Sequence, residues 1–170
     1  MAWVFNVTQL DPVEVFCFMA LSETSGADIY DAATIRCANG AIISVSGSAT
    51  LPVQAAVEGD VTTATKQIDN KVFGTEGCLL YSGLDLVPES GELVMRRNDG
   101  REQTSKGFEF ENYDQHAQDG TGPESIHAFV AACRGEQYYN GADGVVGLRV
   151  VQTLDAMYRS AKSGQSEKTW

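Results

Sequence analysis

No apolar run in these 170 residues approaches the roughly 18 that a membrane-spanning helix requires. The opening stretch, MAWVFNVTQLDPVEV, lacks both a basic segment and a long apolar core, so it is not a secretory signal. Positive charge is scarce: 12 Lys and Arg stand against 23 Asp and Glu, and the net charge of −11 repels nucleic acid and anionic membranes. The cysteines Cys17, Cys37, Cys78 and Cys133 include no C-x-x-C pair, and none lies close in sequence to either histidine, which argues against structural zinc. Each sits in an apolar run, so all four are expected to be reduced core residues of a cytoplasmic protein.

What is present is the composition of an ordinary globular protein, 43% hydrophobic and 21% charged, on a chain long enough for one domain. The first two-thirds reads as sheet. PVEVFCFMAL follows the helix-breaking Asp11-Pro12, and DIYDAATIRC and AIISVSG flank Ala38-Asn39-Gly40, a hairpin signal. KQIDNKVFG and CLLYSG flank Thr75-Glu76-Gly77, and ELVMRRN and REQTSKGFEFE flank Asp99-Gly100, giving two more hairpins. The polar stretch 50–65 reads as a loop or irregular edge. The last third changes period. Pro123 opens a helix with an Ile126, Phe129, Val130 and Cys133 stripe, ended by Gly135. Asp143 is a good N-cap for a second helix, whose expected apolar face is Val146, Val150, Val151, Leu154, Met157, Tyr158 and Ala161, with Gly164 as its stop. The expected class is α+β: one domain over 1–170, an open, mostly antiparallel sheet of about six or seven strands with two C-terminal helices on one face, and a tail at 165–170.

Two helices cover only one side of such a sheet. In PVEVFCFMAL one face carries Val13, Val15, Cys17 and Met19, the other Phe16, Phe18 and Ala20. Both are apolar, so both need cover, and burying Phe16 and Phe18 is worth on the order of 2 kcal/mol each. A second copy of the sheet supplies that cover, and Val13, Val15, Phe16 and Phe18 are the expected interface residues of a homo-oligomer.

Several stretches carry a family resemblance: DAATIRCANGAIISVSGS with its Asn-Gly turn, KVFGTEGCLLY with its hairpin turn, ESIHAFVAACRGE, and the closing NGADGVVGLRVVQTLDAMYRSAKSG. In order and spacing, from about Asp11 to Gly164, the chain resembles the C-terminal domain of the glucose-fructose oxidoreductase / inositol dehydrogenase / MocA-type oxidoreductases. The resemblance implies NAD or NADP bound by an N-terminal Rossmann domain, hydride transfer on sugars, cyclitols or related polyols, and a sheet that packs in dimers or tetramers. It also implies that residues 1–10 are the far end of a preceding helix.

The chain departs from that pattern. A dinucleotide fingerprint needs a strand, G-x-G-x-x-G and a helix, whereas GADGVVG, from Gly141 to Gly147, is spaced G-x-x-G-x-x-G with no strand leading into it. Those glycines read as turn and close-packing residues. The family's Glu-Lys-Pro motif and Asp-x-x-x-His helix are absent, and no histidine precedes His116. No cofactor is expected to bind this chain alone, and no metal site is expected. The candidate proton-relay residues are Tyr113, Asp114 and His116, with His116 as base and Asp114 as its orienter; the same stretch also reads as a solvated loop. Tyr138 and Tyr139 are candidates for lining a sugar-sized groove, or for packing the helix connection. His127 reads as a packed helix residue, and Arg36, Arg96 and Arg97 as surface or interface residues.

Three functions fit these observations: the substrate-side and oligomerisation domain of a sugar or polyol oxidoreductase, a small free-standing isomerase or lyase, and a non-catalytic assembly or binding protein that pairs with a separate Rossmann chain.

Overall fold

The computed structural model describes residues 1–49, 67–84, 87, 89–108, 123–141 and 143–170. The chain divides into two compact units: Met1–Leu51 with Tyr139–Trp170, and Pro52–Tyr138. The α+β class holds. All seven expected strands form, every pairing is antiparallel, and hydrogen bonding groups the strands into two four-stranded sheets.

The first unit holds α1 (Ala2–Thr8), β1 (Pro12–Leu21), β2 (Asp28–Cys37), β3 (Ile42–Ser48), α3 (Gly144–Ser163) and β8 (Glu167–Lys168), with sheet order β3-β2-β1-β8. The β2–β3 hairpin turns where the Asn-Gly pair predicts. Gly40 takes φ +85, a left-handed conformation that a side chain resists, and the Asn39 carboxamide oxygen accepts the Ala41 N–H at 3.0 Å. Period-two alternation then sorts the strands into two faces. Val15, Cys17, Ala33 and Ile35 point to one side and meet Ala156 and Met157 of α3, forming the core. The α1 helix buries Phe5 and packs on α3.

The buried face of α3 differs from the apolar stripe predicted for it. Val146, Thr153, Ala156, Met157 and Ser160 are buried, while Val151, Leu154 and Tyr158 are exposed. Two hydroxyl residues are buried because their oxygens are satisfied. Thr153 donates to the Arg149 carbonyl at 2.6 Å; Ser160 donates to the Gln165 carbonyl at 2.6 Å and accepts the Cys17 N–H at 2.9 Å. Residues 165–170, expected as a tail, include β8, which pairs with Glu14 and Val15. Arg159 holds this segment, donating to Asp155, Glu167 and the Lys168 carbonyl and lying over the Trp170 ring.

The second unit holds β4 (Gln67–Gly74), β5 (Gly77–Leu84), β6 (Gly91–Arg97), β7 (Glu102–Phe108) and α2 (Pro123–Arg134), with its sheet a meander in chain order. Register places Asp69, Lys71, Glu92, Arg96, Glu102 and Lys106 on one face, where they form the ion pairs Lys71–Asp69 (3.1 Å), Arg96–Glu102 (2.8 Å) and Lys106–Glu92 (2.8 Å). The opposite face carries Val72, Leu79, Tyr81, Leu93 and Met95, and Tyr81 stacks on Phe108. On α2, Ile126 and Phe129 are exposed, and so is His127, which was expected to be packed.

Candidate functional site

The face of the first sheet turned away from α3 is built from Glu14, Phe16, Phe18 and Ala20 of β1, Tyr30, Ala32, Thr34 and Arg36 of β2, and Ile42, Ser44, Ser46 and Ser48 of β3. Phe16 and Phe18 meet edge to face with centroids 5.0 Å apart, and Phe18 is 67% exposed. Glu14 pairs with Arg36 at one end of this surface. The four residues expected at an interface therefore divide. Phe16 and Phe18 are on this open face. Val15 is wholly buried under α3, which withdraws it from any partner that covers the open face, while Val13 lies at the register shift between Pro12 and Glu14, where alternation is interrupted.

A polar cluster lies where β2 begins. Tyr158 of α3 donates to Asp28 at 2.8 Å, and donating that bond, together with desolvation and the Asp28 and Asp31 charges, raises the phenol above its ordinary pKa. Asp31 keeps one buried carboxylate oxygen without a hydrogen-bond partner, and a Cβ added at Gly47 would stand 2.7 Å from it. Sequence reasoning missed this grouping, because Tyr158 and Asp28 are 130 positions apart. In the second unit a shallow hollow of about 370 Å³ lies on the floor of Val72, Leu79 and Met95, rimmed by Thr75, Glu76 and Arg97.

Of the remaining candidates, Tyr113, Asp114 and His116 lie outside the described residues, as does the loop expected at 50–65. Tyr138 and Tyr139 are both exposed, and the Tyr139 ring lies beside Gly141. Cys17 and Cys37 are buried as expected, and burial, followed by the charges of Asp31 and Asp11 respectively, pushes their thiols up. Cys133, expected in the core, is exposed on α2.

The start of α3 does not fit the pyrophosphate of a dinucleotide. Its free N–H groups face a carboxylate already in place: Asp143 caps the helix, accepting the Val146 N–H at 2.8 Å. A bound phosphate would meet that negative charge where it needs donors. Of the glycines expected in turn or close-packing roles there, Gly141 is closely packed, a Cβ standing 3.0 Å from the Tyr139 ring, whereas a Cβ at Gly144 or Gly147 would enter open space.

No family model matches this sequence, and no curated protein matches it. Solved structures do. The chain is similar to an aldose-aldose oxidoreductase from Caulobacter crescentus complexed with glycerol, with TM-score 0.63 and 13% identity over 98% of this chain and 45% of that one. It is similar to an oxidoreductase from Agrobacterium radiobacter in complex with NAD+, L-tartaric acid and magnesium, with TM-score 0.59 and 16% identity over 94% and 44%. It is also similar to the WlbA dehydrogenase from Bordetella pertussis in complex with NADH and UDP-GlcNAcA, with TM-score 0.56 and 17% identity over 98% and 43%. This chain has the fold of a part of these oxidoreductases. They are of the glucose-fructose oxidoreductase / inositol dehydrogenase / MocA type that the sequence resembles. The chain spans less than half the length of each solved chain it matches.

Proposed function

We propose that this chain is the substrate-side and oligomerisation domain of a cytoplasmic NAD(P)-dependent sugar or polyol oxidoreductase, and that hydride transfer requires a nucleotide-binding domain in addition to these 170 residues. The carrying observation is the shape of the match: nearly all of this chain superposes on under half of the oxidoreductase chains. Hydride transfer needs a nicotinamide held rigidly against a substrate carbon. At the glycine-bracketed start of α3, the Asp143 cap opposes a phosphate. Glycerol, NAD+, L-tartaric acid, NADH and UDP-GlcNAcA accompany the structural neighbours, and a polyol or sugar acid is the corresponding substrate class here.

Two measurements test this. The purified chain, incubated with NADH or NADPH and a panel of aldoses, polyols and sugar acids, is expected to show no turnover and no saturable quenching of the reduced cofactor's fluorescence; saturable turnover by the chain alone would refute the division of labour. The coding sequence immediately upstream, or a chain that co-purifies, is expected to supply a strand, G-x-G-x-x-G and a helix followed by Glu-Lys-Pro. Finding that fingerprint in neither place would leave the oxidoreductase assignment without its cofactor half.

A further inference from the structure

We infer that the outer edge of β1 is a binding site for an extended peptide, and that the chain's own closing strap, residues 165–170, holds the site shut in cis. The inference is independent of the oxidoreductase reading and concerns the first unit alone. A strand edge offers a row of backbone N–H and C=O groups that an added strand takes up. On one side β1 has the full-length β2; on the other it has only the two-residue β8. β8 pairs with Glu14 and Val15, so Phe16 to Leu21 have no strand on that side among the described residues, and the Cys17 N–H there meets the Ser160 hydroxyl instead. The tether is the cause. The chain leaves α3 at Gly164, where a φ of +69 turns it, and joins the β1 ladder only at Glu167. A segment free of that tether can run further along β1.

A two-residue ladder does not hold itself, and side chains supply the grip. Arg159 donates through Nη1 to Glu167 at 2.6 Å and through Nη2 to the Lys168 carbonyl at 2.7 Å, and its guanidinium lies 5.3 Å from the centroid of the Trp170 ring. Asp155 accepts from Nε at 2.7 Å and so aims this fork. The Ser163 hydroxyl donates to the other Glu167 oxygen at 2.9 Å. The Thr169 N–H donates to the Val13 carbonyl at 3.3 Å, and the Thr169 hydroxyl donates to the Pro12 carbonyl. Every receiving group belongs to α3 or β1, which pack on each other through Val15, Cys17, Ala156 and Met157 rather than through the strap. The receptor is therefore formed before its ligand arrives. Its ligand class is an extended segment with a carboxylate for Arg159, a threonine two places on and an aromatic ring three places on, the pattern of Glu167, Thr169 and Trp170. These contacts are few and largely at the surface, so a free peptide binds weakly, with a Kd on the order of 0.1–1 mM. The tethered strap has an effective concentration on the order of several mM and excludes it.

Fluorescence anisotropy with a labelled peptide GQSEKTW, a copy of Gly164 to Trp170, tests this on the whole chain. The releasing variant is Glu167→Lys with Thr169→Pro. It sets like charge against Arg159 and removes both Thr169 donors, while α3 and β1 keep every receiving group. The variant is expected to bind the peptide in the range given, and the parent at least about tenfold more weakly. Adding Arg159→Gln to the variant, or placing the Glu167→Lys change in the peptide, is expected to weaken binding by about fivefold or more. Amide exchange of the variant is expected to be faster in the strap and unchanged in the β1–β2 ladder, which verifies that the fold is kept. Equal binding by parent and variant would overturn the closure in cis. No binding by the variant at about 3 mM peptide would overturn the site itself, and equal binding of a scrambled peptide would overturn the recognition pattern. Strap exchange as slow in the variant as in the parent would overturn the grip assigned to Arg159 and Thr169. A β1–β2 ladder that exchanges faster in the variant would show that the strap builds the receptor, and would overturn a receptor formed without it.

Discussion

Replacing Ser160 with alanine removes one oxygen and, on the geometry of the first unit, two hydrogen bonds that join its three parts. Ser160 is fully buried; its hydroxyl accepts the Cys17 N–H at 2.9 Å and donates to the Gln165 carbonyl at 2.6 Å. It thus ties α3 both to the center of β1 and to the segment leading into β8. Alanine leaves the Cys17 N–H buried without a partner, which costs about 1–2 kcal/mol. The Gln165 carbonyl is only partly buried and regains water, so its loss adds about 0.5–1 kcal/mol. The expected destabilisation is about 1.5–3 kcal/mol, or roughly 6–24 °C in melting temperature for a unit of this size. Both tryptophans of the chain, Trp3 and Trp170, belong to this unit, so urea or thermal unfolding followed by tryptophan fluorescence reports on it selectively. Ser163→Ala is the control, because Ser163 is exposed and its hydroxyl meets only Glu167 and the Gln165 N–H. A Ser160→Ala midpoint within about 0.5 kcal/mol of the parent would refute the claim that a satisfied hydroxyl is what lets a serine face this core.

Gly91→Ala is expected to destabilise the second unit by about 1–3 kcal/mol, because a Cβ there would fall inside the Phe108 ring that stacks on Tyr81; loss of the tyrosine near-UV circular dichroism band is the check. Arg159→Gln breaks the fork to Asp155, Glu167 and the Lys168 carbonyl, but the side chain is about one-third exposed, so the cost is held to about 1 kcal/mol and appears chiefly as faster amide exchange at Lys168 and Thr169. With an aromatic disulfide reagent at neutral pH, Cys133 is expected to react first, and Cys17 and Cys37 only on unfolding. Burial raises the Cys17 and Cys37 thiols above their unfolded values, so the stability linked to keeping them protonated is fully present below the unfolded thiol pKa and is lost as pH rises through the folded one. Melts between about pH 7 and 10 should show the first unit weakening on the alkaline side, and less so in the Cys17→Ala variant.

How much of this was legible in the sequence depended on whether the deciding interaction was local. The three hairpins, Ala38-Asn39-Gly40, Thr75-Glu76-Gly77 and Asp99-Gly100, were read correctly because a turn's conformation is set by two or three adjacent residues. The Asp143 N-cap and Gly164 C-cap were legible for the same reason. The inward face of α3 was not. A hydropathy stripe favours Val151, Leu154 and Tyr158 over Thr153 and Ser160, and only the backbone partners of those hydroxyls reverse the order. The short β8 escaped because it is held by Arg159 and by β1, neither visible in the hexapeptide GQSEKT or its neighbours. At the candidate site, alternation separates Phe16 and Phe18 from Val15, but the side that α3 covers is set by contacts distant in sequence, so both sides of β1 are candidates from sequence alone.

That last distinction bears on what the fold is for. Strand β1 has two apolar sides. Taken sheet by sheet, the ion-paired face of the second sheet is mixed, with Leu80 and the buried Val94 between its three ion pairs, whereas the open face of the first presents an aromatic ridge. In the same unit, the outer side of α3 exposes Leu148, Val151 and Tyr158, with Val151 at 64%. Covering such side chains is worth roughly 1.5–3 kcal/mol each, a large sum beside the stability of a small unit. The first unit thus has apolar surface on both its sheet side and its helix side. A chain that shares its fold with less than half of each solved oxidoreductase is consistent with that construction. Shielding only the sheet side by dimerisation should leave the α3 side available to a hydrophobic dye. If 1-anilinonaphthalene-8-sulfonate fluorescence fell to background on dimerisation alone, the second uncovered face would not exist.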